Sequence, residues 1–497
     1  MKNKYIIICL LLFGAMGYCQ SNDQNYIISK TYKHPMSSPG DYGLDECLTN
    51  ITYFDGLGRP IEKVGFKQSG NSKNLVTLIE YDSIGRQPRE YLPVVLGSDL
   101  NYTDIDGNHI INIYNTHQFG PTVDSTSTPF SEKLFEASPL NRVLKHAAPG
   151  DDWAMGTGHE VKLDYQTNRD GEVRLLRAST TWNDSNKIYD IALLNQEFYH
   201  AGELYKTITT DENNHSTAEF KDKEGRVVLK RVYIGTIYSN KGEAAVPKKE
   251  NSNLSNISSN NYDTYYVYDE YGNLTYVLPP LVDFNQGVNL DGLCYQYKYD
   301  YRNRLVEKKL PGKQWEFIVY NSQDKPVMTG PALNPWGEGN SGWMLTKYDA
   351  FGRVVYTGWL KSDVYPEGRA AMQDQYNNMD VNWKEKFVND TMNIDDVNVN
   401  YTNDVFPTDF KLLTVTYYDG YTYQGAPDSI PDQIMEQNVL QNVKGLTTGS
   451  WVRVLTAPDD TNAELTYMLY DSKSRVIERK KTNWMCGHTI VDSKLDF

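Results

Sequence analysis

The strongest constraint on this chain is a phrase, Tyr348-Asp349-Ala350-Phe351-Gly352-Arg353-Val354, that returns about nine times along it, often at intervals of about 20–30 residues. Leu345 to Tyr348 is an apolar, aromatic run suited to a pleated, half-buried surface. Asp349 stands where a turn wants a short acceptor for the N–H two residues on. Gly352 supplies the positive φ that a type I turn followed by a bulge demands. Arg353-Val354-Val355-Tyr356 begins a return strand. The phrase therefore predicts a hairpin, and its repetition predicts an array of hairpins.

Further copies stand at Asp55, Asp82, Asp222, Asp269 and Asp300. Weaker ones stand at Asn321 and Asp471, and Phe135 to Arg142 reads as a copy with an insertion. Where the glycine is lost, Asn141, Asn303 and Asp324 replace it, the residue types that best tolerate the left-handed region. Ser474 alone departs from that logic.

These residues resemble the YD repeats of the Rhs family: Tyr-Asp, two variable residues, Gly, Arg and an apolar residue. The resemblance runs from about Tyr53 to the end of the chain. It implies an all-β fold in which hairpins join into a spiralling sheet or a partial hollow shell. In Rhs and related toxin-complex proteins such a shell holds a toxic C-terminal segment. Phe135 to Asn141, Ala147 to Trp153 and Gly158 to Tyr165 resemble the uncharacterised domain at the start of many exported Rhs-type proteins, over about Tyr26 to Asn168. That domain is expected to be a β-rich leading segment or plug, with no catalytic residues to carry over.

Residues 1–19 read as a signal peptide, with 20–168 as the N-terminal domain and 169–359 as the hairpin array. Residues 360–449 read as an insertion with helices, and 450–497 as the resumed array. Lys2 and Lys4 precede the apolar stretch Tyr5 to Phe13, which is too short to span a bilayer and predicts export. Cleavage after Cys19 is the first choice, with lipid attachment on Cys19 as the rival. No other run is apolar enough for a membrane span. Within the insertion, Gly368 to Asn389 and Ser429 to Gly445 are expected to be helical, the second from Pro431 and Asp432 in its first turn and Gly445 past its end. Asn240 to Asn261, rich in Ser, Asn and Lys, reads as a loop without a core.

The formal net charge of −15 argues against nucleic acid as a partner. Beyond the leader, Cys47, Cys294 and Cys486 form neither a disulfide framework nor a metal pair, although a bridge through Cys294 is conceivable in an exported protein. Gly337 to Gly342 carries a dinucleotide-type glycine pattern without its strand–turn–helix context. Asp104-Ile105-Asp106-Gly107-Asn108 has a calcium-loop flavour but lacks the distal glutamate. His159-Glu160 has no second histidine one helical turn on. Asp151-Asp152, Asp395-Asp396 and Asp459-Asp460 would be acid/base pairs only in a cleft. Trp153, Trp182, Trp315, Trp336, Trp343 and Trp359 are candidate sugar platforms, weighed against packing in a Tyr-rich sheet.

No catalytic, cofactor or metal residue is therefore assigned. The expected function is an exported, non-enzymatic scaffold, secreted or at the cell surface. It would form part of a β-shell whose partner is a C-terminal effector or the remainder of a longer chain. The alternative is a cell-surface adhesin gripping glycans through exposed aromatics. A hydrolase has only scattered carboxylates behind it.

Overall fold

The computed structural model describes residues 24–32, 47–99, 101–116, 125–234, 261–284, 287–337, 339–378 and 384–494. The expected signal peptide over residues 1–19, the expected break at His34 to Gly40, most of Asn240 to Asn261, Glu338 and Trp383 lie outside the described residues.

Twenty antiparallel strands form one ladder in chain order. Arg89–Tyr91, Phe130–Phe135, Val143–Ala147, Val161–Thr167, Tyr205–Thr210, Ser216–Lys221, Val227–Tyr233, Asn261–Tyr268, Leu274–Leu278 and Tyr295–Tyr299 make its first half. Leu305–Lys309, Trp315–Tyr320, Pro326–Leu333, Ser341–Tyr348, Val354–Lys361, Lys411–Tyr418, Thr447–Arg453, Ala463–Tyr470, Val476–Thr482 and His488–Asp492 make its second. Among the described residues the first strand pairs only with Phe130–Phe135 and the last only with Val476–Thr482, so the ladder is an open wall. The all-β expectation holds.

The predicted corner forms as read. Asp349 N donates to Arg353 O and Gly352 N to Asp349 O, both at 3.0 Å. Asp349 Oδ1 accepts from the Phe351 and Arg353 N–H groups at 2.9 Å, and Oδ2 accepts from Arg353 Nε at 2.7 Å. One carboxylate thus satisfies both orphan donors of the turn and holds the base. A one-residue register shift between Lys347 and Tyr348 is the expected bulge. The corner at Asp300 has the same bonds with Asn303 at φ 58°, and Ser474 also takes positive φ, at 62°.

A second sheet, Asn25–Tyr32, Cys47–Phe54, Pro60–Gly65, Asn74–Leu78 and Val94–Leu96, leads the wall. The helix Gly107–Asn115 covers it, burying Ile110 and Ile113 against Ile51, Val64 and Val76. The expected division after residue 168 does not coincide with a break in pairing. Val161–Thr167 is hydrogen-bonded along its length to Tyr205–Thr210, so the last strands of the leading region are already wall.

The expected insertion over 360–449 is likewise interrupted. Lys411–Tyr418 lies inside it yet pairs with Val354–Lys361 and Thr447–Arg453 as a wall strand. Among the described residues one helix forms there, Pro366–Asn378, and the chain is in strand again at Phe387–Ile394. Ser429 to Gly445 is not helical. Met435 and Glu436 take positive φ and close a two-residue hairpin between Gln433–Ile434 and Gln437–Asn438. Its apolar residues Ile434 and Val439 are spent on wall residues Leu469 and Ile477, so tertiary burial overrides the helix-like spacing.

Candidate functional site

Direct cross-strand partners point to the same side of a sheet. The register Phe220↔Leu229↔Tyr265↔Leu278 therefore marks one side of the wall. Val319↔Met328↔Leu345 and Tyr356↔Val415↔Trp451 mark the same kind of buried side further on. Hairpin Arg174–Asn183/Ile188–Phe198, helix Pro366–Asn378, hairpin Phe387–Ile394/Val397–Tyr401 and the loop after Asp419 clad it.

The cladding is keyed by charge. Wall bases meet carboxylates brought by the inserted segments: Lys206 with Glu172 at 2.6 Å, Lys298 with Asp190 at 2.9 Å and Lys309 with Asp291 at 2.7 Å. Lys347 meets Glu385 at 3.1 Å, and Arg453 meets Asp395. One pair runs the other way, Glu307 of the wall facing Arg369 of the helix at 3.9 Å. Lys347 also donates to Asn403 Oδ1 and to Val405 O. Burial lowers its pKa and Glu385 opposes that shift. Such pairs are weak sources of net stability, but where both partners are buried, as at Lys347 and Glu385, leaving either charge alone in the interior is costly.

The corners form the wall's rim. Each motif tyrosine donates to a carbonyl of the preceding hairpin: Tyr299 to Leu274 O at 2.8 Å, Tyr320 to Leu305 O and Tyr348 to Pro326 O at 2.7 Å. Corner bases reach forward to the next corner, Arg304 to Asp324 at 2.9 Å, Lys325 to Gly352 O at 2.9 Å and Arg353 to Asp419 at 2.6 Å.

That last contact exposes a corner the sequence reading missed. Asp419 N donates to Leu446 O, and Gly445 N donates to Asp419 Oδ1 at 2.6 Å, so a long excursion separates the acid from its glycine. Asn168 and Leu204 close a similar corner around the hairpin insert. Asp211 with Asn214, and Asn483 with Gly487, repeat the bond pattern at compact turns. The Tyr417-Tyr418-Asp419-Gly420 run was the available signal for the first of these.

The other flagged residues have structural places. Asn334 Oδ1 accepts from Trp336 N and closes the glycine-patterned loop as a turn. Asp106 caps helix Gly107–Asn115 through His109 N at 2.8 Å. Asp151 Oδ1 gathers Thr126, Ser127 and Thr128, and these bonds, led by the Ser127 hydroxyl, hold its pKa below the usual carboxylate range. Glu160 is held by Lys145, and the His159 ring packs on Trp153. Asp459 is a surface partner of Lys411. Trp343 and Trp359 are buried, and Trp153 and Trp182 are exposed. Cys47, Cys294 and Cys486 are all free thiols.

Among the described residues no group of three His, Cys, Asp or Glu side chains is arranged to hold a metal, and no helix is long and apolar enough to cross a membrane. An unexpected group is Glu62, 1% exposed, whose Oε1 accepts from Thr103 N while Oε2 is buried without a hydrogen-bond partner. Burial pushes its pKa up to about 7, the Thr103 N–H opposes this and Asp104 adds to it.

Residues 28–167 match a family described as a domain of unknown function (DUF6443), over the stretch set apart in the sequence. No curated protein matches the chain. Among solved structures, a TcdB2-TccC3-TEV crystal structure is similar at 12% identity and a TM-score of 0.41, covering 96% of this chain and 23% of that one. A Photorhabdus luminescens Tc holotoxin pore is similar at 13% identity and a TM-score of 0.40, covering 92% of this chain and 21% of that one. The chain thus spans less than a quarter of the length of either.

Proposed function

We propose that this chain is wall material: an exported, non-catalytic scaffold whose hairpin array forms part of a β-shell around an effector supplied by the rest of a longer chain. The observation that carries this reading is the unbroken twenty-strand ladder, clad on one side and bonded corner to corner along one rim. A sheet of that length is too large for an ordinary open sheet and must curl, split or flatten. The strand His488–Asp492 leaves one edge free among the described residues, where the ladder can continue. Of the carboxylates that first suggested acid/base chemistry, Asp151 gathers a loop while Asp395 and Asp459 hold bases, which favours a structural role. The leader Met1 to Gln20 supports export.

Electron microscopy of the full-length gene product tests the reading. A hollow particle with density inside is expected. A solid or fully extended particle, or one with no internal cavity, overturns encapsulation.

A further inference from the structure

Near the end of the wall an open pocket of about 420 Å³ lies where hairpin Phe387–Ile394/Val397–Tyr401, the loop after Asp419 and the last strands meet. Trp451 and Leu465 line it, and Trp484 stands beside them, 46% exposed. Trp484 belongs to the turn fixed by Asn483 Oδ1, which accepts from Met485 N at 3.1 Å and Gly487 N at 2.8 Å. The Trp484 side chain belongs to none of the buried core clusters. Asn398, Gln424 and Asn462 come from three separate segments to line the same pocket, and Asn398 Oδ1 also accepts from Asn393 Nδ2 at 3.3 Å. Asp396 is the one charged side chain in the lining.

We propose that this pocket binds a neutral saccharide. An indole face takes the C–H face of a sugar ring, while amide groups both donate to and accept from its hydroxyls. A phosphate or carboxylate ligand finds no base in the lining and meets Asp396. A polycation finds a single carboxylate. The pocket lies within the usual size range of small-ligand sites, roughly 300–1,000 Å³. This holds whether or not the wall encloses cargo, since only the pocket's own groups are used.

Cys486 also lines the pocket and is exposed, while Cys47 and Cys294 are buried, so with Cys9 and Cys19 replaced by serine thiol labelling of the folded chain reads occupancy. Chitotetraose, cellotetraose and maltotetraose are the probes, with hexa-arginine and inorganic phosphate as charged competitors and Cys486→Ser as background. With a saccharide at about twice its Kd, labelling slows about threefold and tryptophan emission changes along the same saturation curve. Trp484→Ala abolishes both effects and Trp182→Ala neither. Asn398→Ala, which leaves the turn untouched, weakens protection. Failure of all three saccharides to protect Cys486 at about 10 mM overturns the proposal. So does undiminished protection in Trp484→Ala, or protection by hexa-arginine or phosphate alone.

Discussion

Replacing Asp349 by alanine tests the corner where every bond is defined. The change removes two acceptor bonds to the Phe351 and Arg353 N–H groups and one charge-assisted bond from Arg353 Nε. Each neutral bond contributes about 1 kcal/mol net and the charged one about 1.5–3. Arg353 keeps Asp419 at 2.6 Å, so its charge is not stranded. The expected loss is therefore about 3.5–5 kcal/mol, felt locally because repeat arrays open unit by unit. Asp349→Asn retains the Oδ1 acceptor, as Asn321 does with Gln323 N and Lys325 N in its own corner, and is expected to lose only the charge-assisted bond, about 1.5–3 kcal/mol. Hydrogen exchange at residues 351–354 is the assay, with urea unfolding beside it. Protection in Asp349→Ala equal to that of the parent, or Asp349→Asn as damaging as alanine, would refute the idea that the carboxylate organises the corner.

Other outcomes follow from the same geometry. Glu62 has its folded pKa raised from 4.5 to about 7, so its contribution is fully present below 4.5 and lost as pH rises through 7. Glu62→Gln should then outlast the parent at pH 8 by about 2–3 kcal/mol, with the gap closing near pH 4.5; melting temperatures across that window decide it. Lys347→Met leaves Glu385 buried without its base and should cost about 3–5 kcal/mol in urea unfolding, while Lys347→Met with Glu385→Gln regains most of it. In Gly342→Ala the added Cβ would fall on the Leu360 carbonyl oxygen, so exchange should rise in both paired strands.

The compact corners that carry the recurring phrase were legible because acid, turn and left-handed residue are chemically coupled within five positions, whereas those at Asp211 and Asn483 follow Thr210 and Thr482 instead of a tyrosine and passed unread. Even Ser474 obeyed, since the acid at Asp471 supplies the bonds whichever residue takes positive φ. The corners at Asn168 and Asp419 were not legible as compact turns, because their closing residues are brought back by folding and not by spacing. The stretch Ser429 to Gly445 read as a helix from its ends, but two positive-φ residues and the apolar surface of Leu469 and Ile477 decided otherwise. The seating of inserts was equally hidden. Nothing local pairs Lys347 with Glu385 or Lys298 with Asp190, which are joined only when separate segments meet. Trp484 escaped notice because an exposed indole and a packed one look alike in a string of letters.

The paired bonds at Asn168/Leu204 and Asp419/Leu446 close the strands wherever the intervening chain wanders. A corner of this kind behaves as a socket: a foreign module with neighbouring termini can be spliced between the Asn or Asp and its closing residue while strand order and register stay unchanged. New surface can thus be acquired one corner at a time, leaving the wall beneath it intact.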